Sequence, residues 1–223
     1  MDYPEAPKYN QPDILMNDQI YNNVTNKVDA KSLDAHFTSG PVECISLPGN
    51  WERRESDHLA RGSLVEFAPK DGSSLLVTVL QTGRPLSDTS LATLRQVFDH
   101  QSRSNVPKAL TTQEITSLTE VLGRTTLGDN QFSNNHRHPD PQAPAFNLIS
   151  AMTSTINGKP VLEIKGAFLD DHGNPQNYYR GILVLGKENV MEQLYMQNPT
   201  QEALNQNNSR FREIINSIRW RNQ

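Results

Sequence analysis

The sequence predicts an α+β domain, an antiparallel sheet of about six to seven strands covered by helices on its faces. Three observations predict it. Between Phe146 and Met196 apolar and polar residues alternate in runs closed by turn formers, which marks strands with one buried face. Around residues 88–123, and again after Arg210, apolar residues recur instead at helical spacing. The order is strands, then helices, then a meander of about four strands and a closing helix, without the strand and helix alternation that builds a parallel sheet.

Taken in order, residues 1–40 are rich in Asn, Asp and Pro, with apolar residues scattered singly. Such a segment buries too little surface to offset the ordering of its backbone, so it reads as a polar arm, partly disordered or docked. Within it Ile14, Leu15, Ile20, Tyr21, Val24 and Val28 stand at partly helical spacing, enough for a short docked helix that the neighbouring asparagines weaken. Residues 41–223 read as a single domain. Its first part, ECISLPGNWERRE and SLVEFAPKDGSSLLVTVLQTG, is a ladder of short strands broken at Pro48-Gly49-Asn50 and Lys70-Asp71-Gly72. Leu75 to Leu80 is apolar on both faces apart from Thr78, which suits a central strand with other elements over each side.

Helices supply that cover. After the capping residues Ser87, Asp88 and Thr89, the segment SLATLRQVFDHQ places Leu91, Leu94, Val97 and Phe98 on one stripe. Thr111 and Glu114 have the spacing of a capping box, followed by Ile115, Leu118, Val121 and Leu122 and stopped by Gly123. Residues 124–145 contain turn formers throughout and read as a long surface loop. In the meander, Leu162, Ile164 and Phe168 share one face while Glu163 and Lys165 share the other, and Asn157-Gly158 signals a tight primed turn. After Asn198-Pro199 comes a polar connection, and RFREIINSIRW then puts Phe211, Ile214, Ile215 and Ile218 on one helical stripe. Arg219 and Arg221 fall near its carboxyl end, where the helix dipole favours cations.

A net charge of -4 argues against nucleic acid as the partner, because a basic stripe normally supplies that affinity. No apolar run approaches the roughly 20 residues a spanning helix needs, so direct membrane insertion is not expected. MDYPEAPKYN lacks the pattern of a secretory signal. The default compartment is therefore the cytoplasm, or the periplasm or a lumen if an upstream signal has been removed. The single cysteine, Cys44, excludes an internal disulfide and reads as a buried thiol in a strand. A monomer or weak dimer is expected.

The sharpest local cluster is Asn134-Asn135-His136-Arg137-His138-Pro139-Asp140. His136 and His138 can present two imidazoles on one side of an extended loop with Asp140 as an oxygen ligand, a mixture that suits zinc, nickel or copper, with His172 as a further donor. The plainer reading is a solvated polar loop, and no tightly held metal or cofactor is expected. Asp170, Asp171 and Asn174 lack the alternating oxygens of a calcium loop and suit a hairpin turn. Gly181 and Gly186 are too isolated for a phosphate loop, and Ser39 sits in no nucleophile elbow. Trp51 with Arg53 and Arg54 is a candidate contact patch for a protein partner, balanced against a Trp anchoring a hairpin. Tyr178 is a further candidate of that kind, with Tyr179 beside it the better core residue.

In four segments the chain resembles the PsbP-like superfamily. These are ISLPGNWE with Pro48, Gly49 and Trp51, the TINGKPVLEIKG hairpin, the strand ending QLYMQNP, and the closing FREIINSIRW, which together span about residues 42–220. That superfamily includes the PsbP extrinsic subunit of photosystem II, a eukaryotic Ran-binding nuclear-import factor, bacterial DcrB-like proteins and secretion-effector chaperones. The resemblance implies an α/β/α sandwich and a non-enzymatic protein-binding, assembly or chaperone module. The partner would dock on an open sheet face or on the 130–145 loop. The alternative is a metal-dependent or hydrolytic enzyme with its site at His136 and His138.

Overall fold

Antiparallel pairing runs through every strand contact of the computed structural model, which describes residues 32–38, 40–54, 64–71, 76–80, 88–104, 106–123, 127, 145–186 and 191–221. All of these belong to the compact unit Lys31–Gln223. The strands are β1 (Leu33–His36), β2 (Val42–Leu47), β3 (Trp51–Arg54), β4 (Leu64–Pro69), β5 (Leu76–Leu80), β6 (Lys108–Ala109), β7 (Ala145–Ile156), β8 (Lys159–Leu169), β9 (Pro175–Leu185), β10 (Met191–Asn198) and β11 (Arg219–Trp220). The helices are α1 (Asp88–Ser104), α2 (Thr112–Gly123), α3 (Gln201–Gln206) and α4 (Asn208–Asn216). An eight-stranded sheet in the order β3-β4-β5-β10-β9-β8-β7-β6 carries the fold, with a three-stranded sheet β1-β2-β11 beside it.

The turn between β7 and β8 follows from its two residues. Asn157 and Gly158 sit at φ 47° and 84°, a conformation that Asn and Gly tolerate and that matches the twist of the flanking strands. Further along β7, Leu148 pairs with Gly166 and Ser150 with Lys165, so Ile149 is an extra residue in a bulge. The bulge changes the parity of β7. Phe146 and Leu148 before it and Ala151 after it all join one core.

Alternation along the strands builds two cores, one on each face. Ile182 and Val184 of β9 belong to one, while Leu183 between them belongs to the other. On the first face α1 and α2 press Leu94, Phe98, Leu118 and Leu122 onto Leu162, Ile164, Leu183 and Tyr195. On the second face Phe211, Ile214 and Ile215 of α4, with Ile218 beyond it and Ile45 and Leu47 of β2, cover Val77, Val79, Leu194 and Met196. Each such side chain contributes about 1.5–3 kcal/mol relative to exposure, so α4 is held by packing more than by intrinsic helicity.

The architecture is the expected α+β sandwich, with a wider sheet and some elements that local pattern did not announce. Part of the polar arm, Leu33–His36, is strand β1, because β2 offers it a partner. QEALNQ, read as a connection, is α3, capped by Thr200 whose hydroxyl accepts from the Ala203 amide at 3.3 Å. The closing helix ends at Asn216, not Trp220. Arg219 and Trp220 pair with Cys44 and Val42 instead. Arg221 consequently leaves the helix dipole and donates to the carbonyls of Gly40 at 3.0 Å and Phe37 at 2.6 Å, clamping the β1–β2 turn. Among the described residues no helix is long and apolar enough to cross a membrane.

Candidate functional site

On the α4 face, the apolar cover thins out where β9 gives way to β8 and β7. Register sets the rows there: Met152 opposite Glu163 opposite Ile182, then Ser150 opposite Lys165 opposite Arg180, then Asn147 opposite Ala167 opposite Tyr178. Ile182 lies in the core. Moving outward, Met152, Glu163, Lys165 and Tyr178 are half-buried and Ser150 and Asn147 are exposed, with Ala167 and Arg180 buried among them. Among the described residues, no helix lies over this strip of ordered sheet.

One edge of this strip is fixed by a charge network. Arg212 on α4 donates to Glu163 through Nη1 at 2.9 Å and Nη2 at 2.7 Å, a forked geometry that fits a carboxylate. Ser154 donates a third hydrogen bond to the same carboxylate at 2.8 Å. Glu163 is thereby fully engaged, and its chemistry is structural.

The same architecture occurs in the solution structure of cyanobacterial PsbP (CyanoP) from Synechocystis sp. PCC 6803, with a TM-score of 0.50 and 11% identity over 90% of this chain and 99% of that one. The fold is PsbP-like. No protein-family profile matches the sequence. No curated protein matches it either. At such identity the likeness carries the fold and no residue roles.

Within this PsbP-like sheet the sequence-nominated residues separate. Trp51 is only 1% exposed and packs in the α4-side core, so its ring is a hairpin anchor. Among the described residues its indole nitrogen finds no hydrogen-bond partner. Arg53 and Arg54, two and three residues on, are exposed on β3 at the sheet's edge, together with Glu52. Tyr178 is across the sheet on the strip, partly packed on the core, so it joins no patch with the arginines. Tyr179 is buried among Phe146, Phe168 and Tyr195, and its hydroxyl donates to Gln193 at 3.1 Å. Asp170 accepts from the amides of His172 at 2.9 Å and Asn174 at 2.7 Å, which lowers its pKa, chiefly through Asn174, and makes this segment a hydrogen-bonded turn. His136, His138 and Asp140, together with Ser39, lie outside the described residues.

One ionisable group was passed over by sequence reading. Glu192 on β10 shares parity with Leu194 and Met196, so it points into the core side of the PsbP-like sheet and is only 7% exposed. Burial pushes its carboxyl up to about 7, with Lys159 pulling in the opposite direction by its charge. Among the described residues Oε2 of Glu192 has no hydrogen-bond partner. Lys159, itself lowered by burial, stands 5.2 Å from the centre of the Trp220 ring. The parity of Glu192 with two core residues was the available signal. A lone carboxyl of this kind can hold a proton near neutral pH.

Proposed function

We propose that the chain is a protein-binding or assembly module that works without catalysis, and that its partner docks on the strip formed by β7, β8 and β9. The observation that carries this reading is the strip itself. Asn147, Ser150, Met152, Lys165 and Tyr178 form a mixed polar and apolar surface on rigid, paired backbone, the composition that suits recognition by complementary contact. Its support is stiff, because Glu163 and Arg212 tie α4 to the strand beneath. The PsbP-like fold supports the same reading by analogy, since the superfamily that the sequence resembles acts mostly by binding other macromolecules.

A photo-cross-linking amino acid at position 150, exposed on β7, tests this in living cells. The expected result is a discrete protein adduct that a Tyr178→Ala change diminishes. The same cross-linker at Gln96, exposed on α1, gives no such band. Adducts of equal yield from both positions, or none from position 150, would count against the strip.

A further inference from the structure

Pairing of β1 with β2 does more than extend the small sheet. It sets His36 directly opposite Cys44 and Asp34 directly opposite Ser46, so these four side chains share one face. His36 Nε2 lies 4.0 Å from Cys44 Sγ. One ligand atom from each of Asp34, His36 and Cys44 falls within 4.8 Å of the others. Asp34 and His36 are exposed while Cys44 is buried, so the thiol forms the floor of the group and the other two its rim. The Ser46 hydroxyl donates to Asp34 Oδ1 at 2.7 Å, which helps to hold the carboxylate in place at the rim.

We propose that Asp34, His36 and Cys44 bind one divalent transition-metal ion of borderline softness, zinc(II) above all, with the fourth position open to water. Sulfur, nitrogen and oxygen donors together select this class over calcium or magnesium, which prefer oxygen alone. In a tetrahedral zinc site the ligand atoms stand about 3.3–3.5 Å apart. The sulfur and nitrogen must therefore close by roughly half an ångström from their 4.0 Å, and the pairs with the carboxylate, within 4.8 Å, by up to about 1.5 Å. Rotation of the exposed Asp34 and His36 side chains supplies that shift. Cys44 binds as thiolate, and its proton passes to solvent as the ion enters. Arg219, opposite Cys44 on β11, is the opposing feature, because its guanidinium hydrogen-bonds the Cys44 sulfur and feels the charge of Asp34. Its cation repels an incoming ion and must turn outward, so removing it tightens binding.

Cobalt(II) titration of the full-length protein tests this, because a cobalt–thiolate bond produces an intense near-ultraviolet charge-transfer band. The expected result is a band that saturates at one equivalent and is displaced by zinc(II). Cys44→Ser abolishes it. His36→Gln, at an exposed position that leaves folding intact, weakens binding at least tenfold, and Arg219→Gln strengthens it severalfold. The His136→Ala, His138→Ala double variant keeps the band, which separates this site from the loop histidines. Absence of the band in the wild type, or unchanged affinity in His36→Gln, overturns the proposal.

Discussion

Arg212 and Glu163 are separated by 49 positions in sequence, yet Nη1 of the guanidinium fork bonds Oε1 of the carboxylate and Nη2 bonds Oε2. The pair fastens α4 to the middle of β8. Glu163 is the more enclosed member, 14% exposed at its side chain against 37% for Arg212.

Removing Arg212 therefore leaves a largely buried carboxylate with, among the described residues, Ser154 as its remaining partner. Arg212→Ala is expected to cost about 1–3 kcal/mol, whereas changing both residues to apolar ones costs less than the sum of the single changes. A double-mutant cycle by urea denaturation checks this. Strict additivity would show that the pair contributes no coupling.

Glu192 supplies a pH dependence. Its folded pKa, about 7, is above the ordinary carboxylate value because burial opposes its charge. Between about pH 4.5 and pH 7 the unfolded chain releases this proton while the folded chain keeps it, so stability falls as pH rises through that window and levels off above it. The loss is at most about 3 kcal/mol, at about 1.4 kcal/mol per unit. Glu192→Gln is expected to flatten this part of the profile and to be more stable than wild type at pH 8. Identical profiles in thermal melts would refute it.

Asn157 serves two structures at once. It adopts positive φ in the β7–β8 turn, and its side-chain amide donates to the carbonyls of Asn216 at 2.9 Å and Ile218 at 2.7 Å, just where α4 ends. Asn157→Gly keeps the turn conformation but removes both donors. The expected cost is about 1–2 kcal/mol, read from denaturant midpoints, and a neutral result would mean the latch is idle.

The start of α2 is a capping box in fact as well as in spacing. The Thr111 amide donates to Glu114 Oε2 at 2.8 Å, and the Glu114 amide donates to the Thr111 hydroxyl at 3.3 Å. Lys108 and the Thr111 amide hold the Glu114 pKa down to about 2. This contribution is present above the unfolded value of 4.5 and is lost as pH falls toward 2. Thr111→Ala is expected to cost about 1 kcal/mol in chemical denaturation at pH 7.

What sequence disclosed follows from how local each cause is. The α2 cap, the Asn157-Gly158 turn and the alternation in β8 depend on residues within a few positions of one another, and all were legible. Strand β11 was not, because nothing near Ser217 breaks a helix and Trp220 turns away only to pair with Val42. The same holds for β1, whose short LDAH becomes a strand through β2. That long-range pairing is also what gathers Asp34, His36 and Cys44, so the cluster was out of reach while residues 1–40 read as an arm. Trp51 illustrates the reverse case. Its neighbours Arg53 and Arg54 suggested a surface patch, but the ring points into the core.

Calorimetric titration of the partner captured through position 150 against surface variants addresses the docking strip most directly. Ser150→Arg, a change at an exposed position, is expected to weaken binding at least tenfold while leaving the melting temperature unchanged. Gln96→Arg on α1 should bind as wild type does. Equal affinity for all three proteins would contradict docking on β7–β9.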